Sequence, residues 1–391
     1  MKLPDVHPFL WTLLRPESGD GHPSLEPDDS AWEAILRDTS EQSLITLLYR
    51  SDQESHRTHR LPPSMHNRLK TEMARLTAKN MLLTAELTAI LTRCRDCGLA
   101  CVPLRGLALA EQLHGPGAPR PTGDIDLLVR RTDVPVIAGI LAALGYAGME
   151  HRPGFAGTFS YTLEFVKDRH GWIVVEPHWT LAYPPFTEAL DMEQVWSRCR
   201  KGSVIGIDAW RLSDEDLLVH LCFHILHQGD KTPLLWWYEL DLLIRQTQAS
   251  LNWDTITTTA KRSGQSLLVS EVLEALRERF HSPIPQSTLT SLAAQSSRAP
   301  LATLLVHAPG LSGREEFAQF VSLPGFLAKL RYALGLLCPA PDYMIRRYGV
   351  RSHTQLGIAY ATRLLHLFWE GLRWSGALLT AACSTKAPTT R

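Results

Sequence analysis

Neither charge sign is in excess in this chain: 40 Lys and Arg balance 40 Asp and Glu over 391 residues. Without a net field there is no general attraction for polyanions, so nothing in the balance asks for a nucleic acid. Cysteine is scarce, and its odd count of seven argues against a disulfide framework. Three of the seven cluster as CRDCGLAC, at Cys94, Cys97 and Cys101. No second pair stands at zinc-site spacing, so the cluster reads as the packed end of a helix that stops at Gly98. A secretory signal is also missing from MKLPDVHPFLWTLLRPESGDG, where Asp and Pro precede the apolar stretch and no small-residue cleavage pattern follows. A cytoplasmic protein is expected. Long apolar runs are lacking too. The most apolar late segment, LGIAYATRLLHLFWEGLRWSGALLTAA (356–382), carries Arg363, His366, Glu370 and Arg373 at helical spacings, which a bilayer-spanning helix rarely accepts. It reads as an amphipathic helix packed on protein, with contact to a membrane surface as the lesser alternative.

What is present is ordinary for a globular chain, 45% hydrophobic and 20% charged, and long enough for two or three domains. Residues 12–31 and SDQESHRTHRLPPSMH (51–66) read as loops around a helical piece near 31–50. Leu69, Met73, Leu76, Leu83, Leu87, Ile90 and Leu91 follow a helical period and predict one long helix to about Cys97. GLACVPLRG predicts a buried strand over 99–104, and LALAEQLHG a short helix closed by glycine. DIDLLV reads as the next strand. DVPVIAGILAALGY reads as a helix with Asp133 as N-cap, Pro135 in its first turn and Gly145 at its end. SYTLEFVKDRHGWIVVEPHWTL predicts a hairpin turning through Asp168 to Gly171. Beyond 212 the pattern is helical at 213–229, 233–247, 253–279, 288–307, 314–337 and 355–382, before a loose tail, STKAPTTR. The fold class expected is α+β: a small mixed sheet embedded in a larger all-helical part. Its segments are 1–68, a core at 69–200, a helical domain at 201–383, and the tail at 384–391.

One stretch conflicts with its surroundings. RPTGDIDLLVRRTD (120–133) places Asp124 and Asp126 two apart at the head of an apolar run, just after Gly123. In a strand these two side chains share a face. Two anions so close repel and lose hydration, and a divalent cation between them is the usual remedy. The spacing alone leaves open a turn-capping pair at an exposed strand end. Glu176, at the end of the second hairpin strand, joins the pair if the two strands run side by side. Two acids in D-x-D, a third from a later strand and a glycine at a strand-to-helix turn are parts suited to two-metal phosphoryl transfer.

The combination PLRGLALAEQL, RPTGDIDLLV and LAALGY resembles the nucleotidyltransferase superfamily that shares its fold with DNA polymerase beta, and within it a bacterial family of uncharacterised nucleotidyltransferases. VVEPHWTL, LSDEDLLVHLCFHILHQ, LLWWYELDLLI, LNWDTI and CPAPDYMIRRYG extend the resemblance over roughly 80 to 350. It implies that Asp124 and Asp126 bind the catalytic ions, two Mg2+ or Mn2+, with Glu176 as third ligand and candidate base. It further implies a nucleoside triphosphate such as ATP as co-substrate, approached by Arg105, Gly106, Arg120, Gly123 and His178. Arg105 stands where many relatives have lysine, and Leu107 where the superfamily usually has a small serine. A hydroxyl contact to phosphate is thereby lost, for which a bidentate Arg105, helped by Arg120, can compensate. The implied acceptor is a small molecule, peptide or protein in preference to nucleic acid. A non-catalytic relative that binds a nucleotide or peptide in a biosynthetic or defence system is the alternative.

Other features admit two readings. His178 shares a face with Glu176 if the strand continues past Pro177, which implies an edge or a strand end. It then orients the nucleophile or a carboxylate, or is simply a buried hydrogen-bonding ring. His220, His224 and His227 fall at i, i+4 and i+7 on one helix, a spacing compatible with a transition metal. No H-E-x-x-H accompanies them, and they read as polar contacts lining the cleft. Trp236, Trp237, Trp253 and Trp369 are expected to anchor the helical core instead of forming a base-stacking platform.

Overall fold

The structure, a computed structural model, describes residues 3–14, 29–53, 61–168, 172–184, 186–294 and 314–384. Most of the 12–31 loop and part of the 51–66 loop lie outside these residues, as do the hairpin turn 169–171, the end of the 288–307 helix and all but the first residue of the tail.

The architecture is α+β. Helices α1 (Pro8–Leu14), α2 (Asp29–Glu41) and α3 (Ile45–Gln53) precede the long α4 (Pro63–Asp96). The helical piece near 31–50 is thus two helices, divided where Ser43 takes a positive φ of 60°. The long helix starts earlier than the loop reading of 51–66 allowed, because Pro63 occupies its first turn, where a missing N–H costs nothing. Its expected stripe is buried at Leu69, Met73, Leu83, Leu87, Ile90 and Leu91. At its end Cys94 is buried against Cys101, whose thiol is pushed up first by that neighbour, while Cys97 is exposed.

A five-stranded sheet follows, ordered β1-β2-β5-β4-β3. Its strands are β1 (Val102–Pro103), β2 (Ile125–Leu128), β3 (Ala147–Gly148), β4 (Phe165–Asp168) and β5 (Trp172–His178). The strand expected over 99–104 shrinks to two residues, since Pro103 has no N–H to continue a ladder. Helices α5 (Leu107–His114), α6 (Val134–Ala143) and the short α7 (Phe155–Phe159) lie between strands. Asp133 stands at the N-cap of α6, but its side chain makes no capping bond, because a 3-10 turn over Arg131–Asp133 feeds the helix. Pro177 sits at the end of an interior strand, which selects the strand-end alternative.

After α8 (Met192–Arg198) comes a hairpin absent from the sequence reading, β6 (Arg200–Val204) and β7 (Ile207–Arg211). Its two turn residues, Ile205 and Gly206, both have positive φ, 47° and 79°, as a twist-matched two-residue turn requires. A branched residue in that conformation is unusual, so the sequence carried no turn signal. The Glu111 carboxylate accepts from Ile205 N at 2.9 Å and helps hold the turn.

The remaining helices are α9 (Asp214–Gln228), α10 (Leu234–Thr247), α11 (Trp253–Arg262), α12 (Ser266–Phe280) and α13 (Gln286–Ala293), then Arg314–Ser322, Gly325–Leu337, Pro341–Tyr348 and His353–Ser384. The expected 253–279 helix breaks at Gly264 and the 314–337 helix before Gly325; Pro341–Tyr348 was not expected. Trp237 is fully buried, but Trp369 is 62% exposed, which corrects its assignment to the core. No helix of the described residues is long and apolar enough to cross a membrane.

Alternation along the strands decides where the site lies. Ile125, Leu127, Ile173 and Val175 enter one core with Leu83, Leu87, Ile137 and Leu141 of α4 and α6. Asp126, Leu128, Glu176 and His178 therefore face the other way, toward the helical part that joins α1–α3 with α9–α13.

The last helices dock on the sheet's far end. Ala340 N donates to the His151 carbonyl at 2.6 Å, and the His151 ring stacks on Tyr343 at 4.3 Å. Burial, then Arg363 and Arg347, lower the His151 pKa from 6.5 to about 4. Between those values the unfolded chain binds the extra proton, so stability present above pH 6.5 is lost as pH falls toward 4. Replacing His151 by Phe is expected to make thermal melts less acid-sensitive in that window, as read from Tm at several pH values.

Candidate active site

Gly106 turns β1 into α5 with φ 61° and ψ −121°. A Cβ there would lie 2.9 Å from Thr122 Oγ1 and 3.7 Å from the Asp124 carbonyl, so both backbone conformation and close approach demand glycine. Gly123 differs: it is exposed and a Cβ there meets nothing within 4 Å. Gly106→Ala is accordingly expected to cost about 1–3 kcal/mol and Gly123→Ala almost nothing, as measured by denaturant melts.

The acids are assembled by one register. β2 and β5 run parallel with Asp126 opposite Glu176 and Leu128 opposite His178. One ligand atom from each of Asp126, Glu176 and His178 lies within 4.8 Å of the others, the one such metal-capable group among the described residues. Asp124 stands one residue before β2 and outside that trio. It is near enough that Asp126's charge adds to burial in raising its carboxyl to about 6. His178 Nε2 donates to Asp126 Oδ1 at 3.1 Å and lies 3.7 Å from Glu176 Oε2. Burial disfavours the charged ring, but these two carboxylates outweigh it and raise its pKa to about 9. Asp126 is held well below the usual carboxylate range: burial opposes ionisation, and Arg105 and His178 overcome it.

Arg105 joins the acids directly. Its guanidinium pairs with Asp126 Oδ2 and donates to His224 Nε2. Since Arg only donates, the ring accepts there and its Nδ1–H faces the Tyr183 hydroxyl at 3.0 Å. A neutral imidazole fits, because burial and then Arg105 push His224 well below its ordinary pKa. Trp236 stacks on the same ring, centroids 3.9 Å apart. Arg105 Nε is buried with no hydrogen-bond partner.

Arg120 does not join this group. It forks onto Glu239 of α10 at 2.6 and 2.9 Å and donates to the Pro121 carbonyl at 3.0 Å, while Asn80 holds its backbone. The guanidinium is the counter-ion of a buried carboxylate, Glu239, which would be costly to leave unpaired. The histidine helix does not form a metal group either. His220 donates from Nδ1 to the Leu181 carbonyl at 3.3 Å and His227 stacks on Tyr183 at 4.0 Å. Burial, then Arg105, lower His220 to about 3. Tyr183 and Tyr161, which pack among these rings, had no signal in the sequence.

Known proteins offer two points of comparison. A family model described as an uncharacterised nucleotidyltransferase matches residues 28–281. No curated protein matches the chain. Among solved structures, ANT(2")-Ia in complex with adenylyl-2"-tobramycin matches at 17% identity and a TM-score of 0.29, over 51% of this chain and 99% of that one.

Proposed function

The chain belongs to the family of uncharacterised nucleotidyltransferases whose model it matches over residues 28–281, and from that premise we propose that it transfers a nucleoside monophosphate from a nucleoside triphosphate to an acceptor hydroxyl or phosphate. Mg2+ or Mn2+ would be held by Asp124, Asp126 and Glu176. The observation that carries this reading is the parallel register placing Asp126 opposite Glu176.

The donors suit a hard divalent cation. Carboxylate oxygens have a second lone pair each, so Asp126 retains acceptor capacity beside Arg105 and His178. When bound, such ions neutralise the triphosphate and make the attacking hydroxyl more acidic. The chain's own groups do the rest. Arg105, oriented by His224 and Tyr183, brings a buried Nε without a partner, suited to a phosphate oxygen. Gly106 permits close backbone approach at the turn. Glu176 takes the acceptor's proton as its oxygen bonds to the α-phosphorus, and the bond from that phosphorus to the departing pyrophosphate breaks. His178 holds Asp126 in place.

A second reading keeps two specific supports. Arg105 already neutralises Asp126, and Leu107 replaces the usual hydroxyl, as in a relative that binds without turnover. The test is magnesium-dependent nucleotide binding followed by transfer of α-phosphate label to a panel of hydroxyl-bearing acceptors. Binding without pyrophosphate release from any acceptor would sink the enzyme reading in favour of the binder. Chelator loss restored by zinc but not magnesium would point to the histidine helix instead.

A further inference from the structure

Glu176 borders a second space. It lines a half-open cavity of about 370 Å3 bordered by α7, the β5 strand and the helices Gly325–Leu337 and Pro341–Tyr348, a volume in the range of small-molecule sites. Its lining carries four carboxylates, Glu150, Glu164, Glu176 and Glu316, against one guanidinium, Arg347. Glu150 is partly engaged, accepting from Ala156 N at 2.8 Å. Even with Arg347 set against one acid, the balance is negative. The walls between the acids are rings, among them Phe159, Tyr161, Tyr332 and Tyr343.

Carboxylates and aromatic faces share one preference, a cation: the former through charge-assisted hydrogen bonds, the latter through the ring quadrupole. A neutral polyol would leave the acids uncompensated and an anionic acceptor would be repelled. The geometry points to a small organic cation as the acceptor, an amine-bearing compound with a free hydroxyl. Its ammonium groups sit among Glu164, Glu316 and the rings, and its hydroxyl reaches Glu176. This rests on the nucleotidyl-transfer reading of the adjoining acids. In the transfer the hydroxyl proton goes to Glu176, the oxygen–phosphorus bond forms, pyrophosphate departs, and the amines are unchanged.

The test titrates the full chain by calorimetry with spermidine, 1,3-diamino-2-propanol, glycerol and glycerol 3-phosphate. The two amines are expected to bind and to compete with each other, and the other two to bind far more weakly. Glu164→Gln is expected to weaken spermidine roughly tenfold; should that variant not fold, Glu316→Gln, on the exposed rim, is expected to weaken it by a smaller factor. The proposal is overturned if glycerol or glycerol 3-phosphate binds as tightly as spermidine, or if the folded variants keep wild-type affinity for it. Labelled nucleotide separates the two readings. Label on 1,3-diamino-2-propanol, inhibited by spermidine, supports both. Transfer to the neutral or anionic compound alone would keep nucleotidyl transfer and overturn the cationic acceptor. Spermidine binding as expected, without transfer to any acceptor, would overturn nucleotidyl transfer and leave the cation cavity standing.

Discussion

Changing Asp124 and Asp126 together to Asn is expected to abolish nucleotidyl transfer, by about 10³-fold or more, while the fold survives. The magnitude follows from losing several kcal/mol of charge stabilisation in the transition state. Survival follows from shape, since Asn fills the same space; its one carbonyl oxygen keeps the bond from either His178 or Arg105, and its NH2 faces the other donor. Some loss of stability is expected from Asp126, because Arg105 and His178 both rely on its charge. The single Asp124→Asn change should cost little stability, since burial and Asp126 already disfavour that carboxylate's charge. The measurement is label transfer under saturating nucleotide, with thermal melts on the same preparations. Full activity in the double variant would remove the acids from the mechanism.

Arg120→Met is expected to be the most destabilising single substitution near the site, by about 3–5 kcal/mol. Glu239 is 1% exposed, and without the forked guanidinium it is left as a buried charge. Adding Glu239→Gln should restore much of the loss, because a neutral amide is far cheaper to bury than an unpaired carboxylate. Urea unfolding of the two single variants and the double variant gives the coupling directly. If Arg120→Met left stability intact but weakened nucleotide binding, the phosphate role expected from its sequence neighbourhood would return. Coupling with Glu239 would show a brace that fixes the Pro121–Asp124 approach to the strand.

Residues near in sequence were thus a poor guide to charge partners. Arg120 lies four positions from Asp124 yet serves α10, whereas Arg105 reaches Asp126 from 21 positions away. Backbone path explains this: the turn at Gly106 lies against Thr122 and Asp124, while Asn80 anchors residue 120 on α4. The histidine helix was readable as a polar face, but its use as support for Arg105 depends on Tyr183 and Trp236, which come from other segments.

Local pattern was sufficient for the α+β class, the long helix, the β4–β5 hairpin and the presence of three acids at strand ends, because periodicity and turn chemistry act over a few residues. It was also sufficient to suggest the family. Tertiary structure alone decided that β2 and β5 pair in parallel at this register, that His178 completes the close group with Asp126 and Glu176, and that Arg120 is spent on Glu239. It alone opened the acidic, ring-walled cavity beside Glu176. Each of those outcomes depends on which distant segments share a desolvated space, where unpaired charges are costly, and sequence spacing carries no measure of that distance.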